Sequence, residues 1–466
     1  VQYISTRGGS EPLSYCEALL EGLATDGGLA VPETLPTIDA DLLERWRALT
    51  YPQLATEVLA LFATDIPRTD LARMTQAAYA GFPEAVVPLR RLDDELTLVG
   101  LSEGPTLAFK DMAMQFLGEV VEYALEQRDA VMNVLGATSG DTGSAAEHAL
   151  RGKERIAVFM LSPQGRMSPF QRAQMFSIDD PRVHNIAIGG VFDDCQNLVK
   201  ELAGDLGFKR AHFLGAVNSI NLARITAQVV YYVWAWLRAT DAGVVEVSVT
   251  VPSGNFGNIL SGFYARQMGV PLRRLVLAAN ENNVLDEFFR SGIYRPRSAA
   301  ETVATSSPSM DISKASNLER FIFELVGRDP ERVVGAWRDL DAQGYIDFSA
   351  ERARFADEFG IVSGTSTHAD RVGTIRAVYE RSGDVIDPHT ADGVRVARDY
   401  VEPGVRMLVL ETAKPEKFAE TIHEAIGVDL AYTPELREML DAPQHVVDLP
   451  DDAEALRAFI AQRALH

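Results

Sequence analysis

The sequence predicts an α/β protein with two mainly parallel-sheet domains and an N-terminal, mostly helical domain. Three observations carry this. From about residue 90 to residue 280, short apolar runs alternate with helical stretches in repeated strand–turn–helix units. That is the pattern of parallel strands covered by helices on both faces. Before residue 90 the alternation is absent. Finally, 466 residues is enough for two to four domains at roughly 100–200 residues each.

In chain order, residues 41–49, 51–62 and 69–80 place apolar side chains at helical spacing, punctuated by Pro36, Pro52, Pro67 and Pro83. Strands follow over 131–135, 156–161, 183–188, 213–217, 244–251 and 275–279, each leading through a turn into a helix. Residues 406–410 form a further strand and 414–426 a further helix. The stretch 294–316 is polar and rich in Ser and Thr, as expected of a loop. These features divide the chain into an N-terminal domain over 1–90, a large domain over 91–134 and 230–466, and a small domain over 135–229.

The charge balance excludes some classes of partner. With 44 Lys and Arg against 66 Asp and Glu, the formal charge is −22, so neither nucleic acid nor an anionic membrane is expected to bind. Cys16 and Cys195 are too few for a disulfide framework or a thiolate metal site. Residues 1–10 lack the apolar segment of a secretory signal, and the longest apolar run, 229–237, is too short to span a bilayer. Scattered histidines give no zinc pattern. A soluble, cytoplasmic enzyme without a metal is the expectation.

In open α/β folds ligands sit beyond the carboxyl ends of the strands, which directs attention to three turns. Thr138-Ser139-Gly140-Asp141-Thr142-Gly143 offers hydroxyls and exposed N–H groups at a helix start, a cradle for a carboxylate or phosphate. One hydroxyl alone would be an ordinary helix cap. Ser253-Gly254-Asn255-Phe256-Gly257-Asn258 brings glycines that permit close backbone approach to a ligand. In Asn218-Ser219-Ile220-Asn221-Leu222-Ala223-Arg224, Arg224 lies about one helical turn beyond Asn221. Amide, hydroxyl and guanidinium there suit an anion, although a capped surface helix with a solvated Arg has the same pattern. Dinucleotide, P-loop and nucleophile-elbow fingerprints are missing.

Only seven lysines occur. Lys153, Lys200, Lys209 and Lys417 sit among charged residues and read as solvated. Lys314 falls in the polar stretch, and Lys414 precedes Pro415 in a post-strand turn. Lys110 differs, because residues 104–111 (GPTLAFKD) surround it with apolar side chains. Desolvation favours its neutral amine, which can form an imine with a carbonyl and then move protons. A lysine snorkelling at a helix start, paired with Asp111, is the plainer alternative.

Taken in order, GPTLAFKD, TSGDTG (138–143), NSIN (218–221), PSGNFG (252–257) and ETAKPEKF (411–418) resemble the fold type II, or tryptophan synthase β, superfamily of pyridoxal-phosphate enzymes. The likeness is nearest to the threonine synthase family, whose N-terminal domain also resembles residues 3–32. The resemblance implies that Lys110 holds pyridoxal 5'-phosphate covalently and is the principal proton carrier. It implies that Gly254, Asn255, Phe256, Gly257 and Asn258 hold the cofactor phosphate, with Thr412 at the pyridine nitrogen. Thr138, Ser139 and Thr142 would bind the substrate carboxylate. Asn218, Ser219 and Arg224, with Arg166 and Ser168, would bind the substrate phosphate. The implied reaction converts O-phospho-L-homoserine and water into L-threonine and phosphate, the last step of threonine biosynthesis, in a site closed by a mobile small domain. The same cradles would serve a phospho-lyase that releases 2-oxobutyrate. A non-catalytic metabolite-binding protein is the alternative from another class, and an intact Lys110 argues against it.

Overall fold

The computed structural model describes all residues except Ser139 and Val244, and the backbone alone of Ala299. Two compact units emerge, one of residues 1–76, 82–103 and 219–430, the other of 77–81, 104–218 and 431–466.

In the larger unit a six-stranded sheet runs in the order Ile361–Thr365, Leu272–Ala279, Val247–Pro252, Arg406–Glu411, Leu96–Gly100, Leu89–Arg91. All neighbours are parallel except the last pair. Every residue of Val247–Pro252 is buried, which is why it reads as a continuous apolar run rather than an alternating one. Helices His368–Ser382 and Pro388–Ala397 cover one face, through a cluster that includes Ile375, Val378, Val394, Val276 and Val409.

The smaller unit is a five-stranded parallel sheet ordered Val447–Leu449, Val183–Ile188, Ile156–Pro163, Met132–Ala137, Leu214–Gly215. Phe159, Leu161, Ile186 and Leu198 form its core on one face, together with Leu456, Phe459 and Ile460 from the helix Ala453–Ala461.

These units differ from the division read in the sequence. The helix Lys110–Glu126 lies with the smaller unit because it packs on Asp141–Leu150. Residues 431–466 join it through the strand Val447–Leu449, whose partner Val183–Ile188 is far away in sequence. The helix from Leu222 belongs to the larger unit. So do residues 1–76, tied to it by Glu319, which accepts from Thr6 Oγ1 at 2.6 Å and pairs with Arg7 at 2.9 Å. The three N-terminal helices are present as Ala40–Trp46, Tyr51–Ala60 and Arg68–Tyr79. A short antiparallel ladder of Tyr3–Ser5 with Ala30–Pro32 joins them. Strand 213–217 shrinks to Leu214–Gly215, and 244–251 becomes Val247–Pro252.

One missing side chain sets the approach of the Lys110 and Asp141 helices. A Cβ on Gly118 would stand 2.3 Å from the carbonyl oxygen of Ala149. Gly118→Ala is therefore expected to destabilise the protein by ~1–3 kcal/mol through overpacking, against the ~1 kcal/mol that alanine gains by helix propensity alone. Urea denaturation checks the sign, and a rise in stability would contradict this packing.

Candidate active site

In the smaller unit, Lys110 is the first residue of its helix and is half-buried. The loop before it is held from two sides. Asp111, fully buried, accepts from the Thr106 N–H and hydroxyl, each at 2.7 Å, and Gln174 Nε2 donates to the Thr106 carbonyl at 2.9 Å. Leu107 adopts φ +57° within it. The lysine is thus delivered at a helix start by a rigid turn.

The turn at Thr138 opens the helix Asp141–Leu150, whose N-cap residue, Gly140, has no side chain to cap it. Here one expectation changes. The Thr138 hydroxyl is engaged inside the turn, accepting from the N–H groups of Gly140 and Gly143 at 3.0 and 2.9 Å. Thr138 shapes the cradle rather than facing a ligand. Thr142 is exposed, and with Asn218 it lines a cavity of about 220 Å³ beside Gly136 and Ala137. Ser139 lies outside the described residues. Arg166 and Ser168 are exposed on the turn before Pro169–Phe176, where Ser168 Oγ caps the helix by accepting from the Gln171 N–H.

In the larger unit the Ser253 turn follows the central strand Val247–Pro252 and opens the helix Gly257–Met268. Thr412 follows the neighbouring parallel strand Arg406–Glu411, so both stand at the same carboxyl edge of the sheet. Phe256 is left-handed at φ +67° and leaves the helix without a side-chain cap. A Cβ on Gly254 would lie 2.9 Å from the Ser309 carbonyl oxygen. Tyr231 and Tyr232 place their phenol oxygens 2.6 and 2.8 Å from Asn258 Oδ1, which turns Nδ2 the other way. Nδ2 and the Ser253 hydroxyl are buried with no hydrogen-bond partner among the described residues. Buried donors left open at an uncapped helix start fit a phosphate, and with it pyridoxal phosphate.

Arg224 falls in the first turn of Leu222–Ala239, a helix capped by Asn221, whose side chain accepts from the Ala223 N–H. It is only 5% exposed, and its Nε and Nη1 have no partner among the described residues. Burial lowers its pKa to about 10. A buried guanidinium without a counterion is costly unless an anion completes it. The solvated-arginine alternative is therefore not what the structure holds.

Other assignments settle here. Lys414 pairs with Glu103 at 2.5 Å and lies 3.9 Å from Glu411, so it is ion-paired while still partly exposed. Burial pushes the Glu411 carboxyl up to about 7, against the pull of Lys414 and Arg90. His389 Nδ1 is 2.8 Å from Asp387, and its Nε2 accepts from the Ser309 N–H at 3.1 Å. It thereby holds Ser309, the residue whose carbonyl oxygen abuts Gly254. Lys153 pairs with Glu119, and Lys417 is buried; neither is solvated as the sequence suggested. Tyr231 and Tyr232 were hidden in an apolar helical stretch, where they read as core.

Glu147, on the Asp141 helix, was also unmarked. It is fully buried, neither oxygen meets a hydrogen-bond partner of good geometry among the described residues, and burial, against a weaker pull from Asn185, holds its carboxyl well above the ordinary range near 4.5. Above that range the folded chain keeps a proton that the unfolded chain releases, so stability falls as pH rises, by up to ~1.4 kcal/mol per pH unit. Glu147→Gln should raise stability at pH 7–8 and flatten this slope. Denaturant midpoints from pH 5 to 8 test it, and parallel curves for the two proteins would contradict it.

Among the described residues no group of three or more His, Cys, Asp or Glu is placed to hold a metal, and no helix is long and apolar enough to cross a membrane.

The fold and these cradles define a pyridoxal-phosphate-dependent enzyme of fold type II. Residues 80–369 match the family described as pyridoxal-phosphate dependent enzyme. Residues 2–79 match the threonine synthase N terminus and 390–460 the threonine synthase C-terminal family. The threonine synthase of Corynebacterium glutamicum is 54% identical, over 99% of this chain and 98% of that one. That of Methylobacillus glycogenes is 50% identical, over 99% and 100%. The crystal structure of PLP-bound threonine synthase from Brucella melitensis superposes with a TM-score of 0.97 at 40% identity, covering 100% of both chains. The chain belongs to the threonine synthase family.

Proposed function

We propose that the protein converts O-phospho-L-homoserine and water into L-threonine and phosphate, as a cytoplasmic enzyme that takes this small molecule as substrate. The observation that carries the phosphate part is Arg224, a buried cation at a helix start whose Nε and Nη1 meet no hydrogen-bond partner among the described residues. The bound cofactor supplies an electron sink that makes protons on the substrate's α and β carbons acidic. The chain does the rest. Lys110 Nζ holds the cofactor between turnovers, and once the substrate amine has displaced it, removes and returns those protons. The N–H groups at the start of Gly257–Met268, with Ser253 and Asn258, anchor the cofactor phosphate. Thr412 offers the pyridine nitrogen a neutral hydroxyl, which moderates the sink. The turn from Thr138 to Gly143, with Ser139 and Thr142, receives the substrate carboxylate. Arg224 and Ser219, with Asn218, Arg166 and Ser168, receive the leaving phosphate. Water then adds at the β carbon.

The test is product identity after incubation of the cofactor-loaded protein with O-phospho-L-homoserine. L-Threonine with one equivalent of phosphate is expected. 2-Oxobutyrate would move the function to a phospho-lyase, and the absence of any product would overturn the substrate assignment.

A further inference from the structure

Immediately after the segment read in the sequence as a polar loop, 294–316, stands Asn317, a side chain with no part in the chemistry above. Asn317 is fully buried and bonds to three elements of the larger unit. Its N–H donates to the Asn255 carbonyl at 3.1 Å, in the cofactor-phosphate turn. Its Nδ2 donates to the Ser219 carbonyl at 3.1 Å, in the turn before Arg224. Its Oδ1 accepts from Arg320 Nη1 at 2.6 Å, which fixes the amide so that Nδ2 faces Ser219. Arg320, also fully buried, donates onward to the Ile220 carbonyl at 2.8 Å and the Ala30 carbonyl at 3.0 Å. The hydroxyls of Ser316 and Ser219 are 3.1 Å apart. A Cβ on Gly257 would lie 3.3 Å from Asn317 Nδ2, so this amide closes on both turns at once.

We propose that Asn317 is a positioning residue that sets the spacing of the two phosphate cradles, one at Ser219 and Arg224, the other at Gly254 to Asn258. The helices behind the cradles already pack together, with Ser261 Oγ donating to the Ile225 carbonyl at 3.0 Å. Helix packing fixes the helix bodies, but the turns ahead of them are irregular backbone whose carbonyls need a donor of their own. Asn317 supplies a bond to each turn, its backbone N–H to Asn255 and its side-chain Nδ2 to Ser219, and Arg320 prevents the amide from rotating. The three acceptors of Arg320 are neutral oxygens, and its charge, balanced in part by the neighbouring Glu319, adds positive potential behind both cradles.

This inference rests on the phosphate reading of Arg224, and the test separates the two. Asn317→Ala, Asn317→Asp and Arg224→Ala are compared with wild type as holoenzymes. The quantities measured are KM and kcat for O-phospho-L-homoserine, the inhibition constant of inorganic phosphate, and cofactor affinity by absorbance titration. Losing the Nδ2 bond to Ser219 in Asn317→Ala should raise KM and the phosphate constant about 10-fold, with kcat within about 3-fold. The backbone N–H bond to Asn255 survives the substitution, so cofactor affinity should change less than phosphate affinity. Asn317→Asp keeps an acceptor for Arg320, and hence the fold, but turns a carboxylate toward Ser219. Its phosphate constant should rise at least as far. Wild-type values of KM and phosphate constant in the Asp variant would overturn the inference, as would a loss confined to kcat. If Arg224→Ala also leaves phosphate binding unchanged, the underlying phosphate reading fails with it. If Arg224→Ala weakens phosphate and neither Asn317 variant does, only the positioning role fails.

Discussion

Lys110→Ala is expected to reduce threonine formation by at least ~10³-fold, because it removes both the covalent anchor and the group that moves the protons. The fold should survive. The residue is half-buried at the first position of its helix, alanine is the best helix former, and the turn before it is held by Thr106, Asp111 and Gln174 rather than by the lysine. The wild-type protein, reduced with borohydride in the presence of cofactor, should carry the label on the peptide containing Lys110; the variant should not. Activity within 10-fold of wild type, or label retained elsewhere, would remove Lys110 from its role.

Arg224→Met is expected to move function and stability in opposite directions. Function should suffer through KM for O-phospho-L-homoserine, by ~30-fold or more, the scale of a lost charge-assisted contact in a buried site. Stability without phosphate should rise by ~1–3 kcal/mol. The wild-type guanidinium is buried with two unpartnered nitrogens, and a methionine of similar reach removes that desolvation cost. Inorganic phosphate should raise the melting temperature of the wild type, since a ligand that binds only the folded state stabilises it by mass action. It should do so less in the variant. A variant that melts lower in buffer and responds equally to phosphate would show that Arg224 is a structural cation.

The parallel sheets were legible because strands buried on both faces read as apolar runs ending in turns, and because each functional turn follows such a strand. Arg224 and the Ser253 turn stood out for the same reason. What escaped has a common physical cause: the partner is backbone or lies far away in sequence. Asn317 and Arg320 recognise carbonyl oxygens, which leave no mark in the order of side chains. Val447–Leu449 has only three residues, and the larger unit's whole segment 219–430 separates it in sequence from its partner Val183–Ile188, so the domain boundaries read from the strand–helix pattern fell elsewhere. The hydroxyl of Thr138 bonds within its own turn, a geometry that spacing does not encode.

The glycines at the helix crossings extend this point. Gly118 brings the Lys110 helix against the carbonyl of Ala149, and a Cβ on Gly262 would stand 2.5 Å from the ring of Tyr232, whose hydroxyl holds Asn258. Each functional turn thus takes its alignment from an atom that is absent further along the helix. A mutational library confined to ligand-facing residues would leave these determinants unsampled. A single methyl group at either crossing would instead act as an active-site lesion introduced from a distance, altering affinity with every reacting group intact.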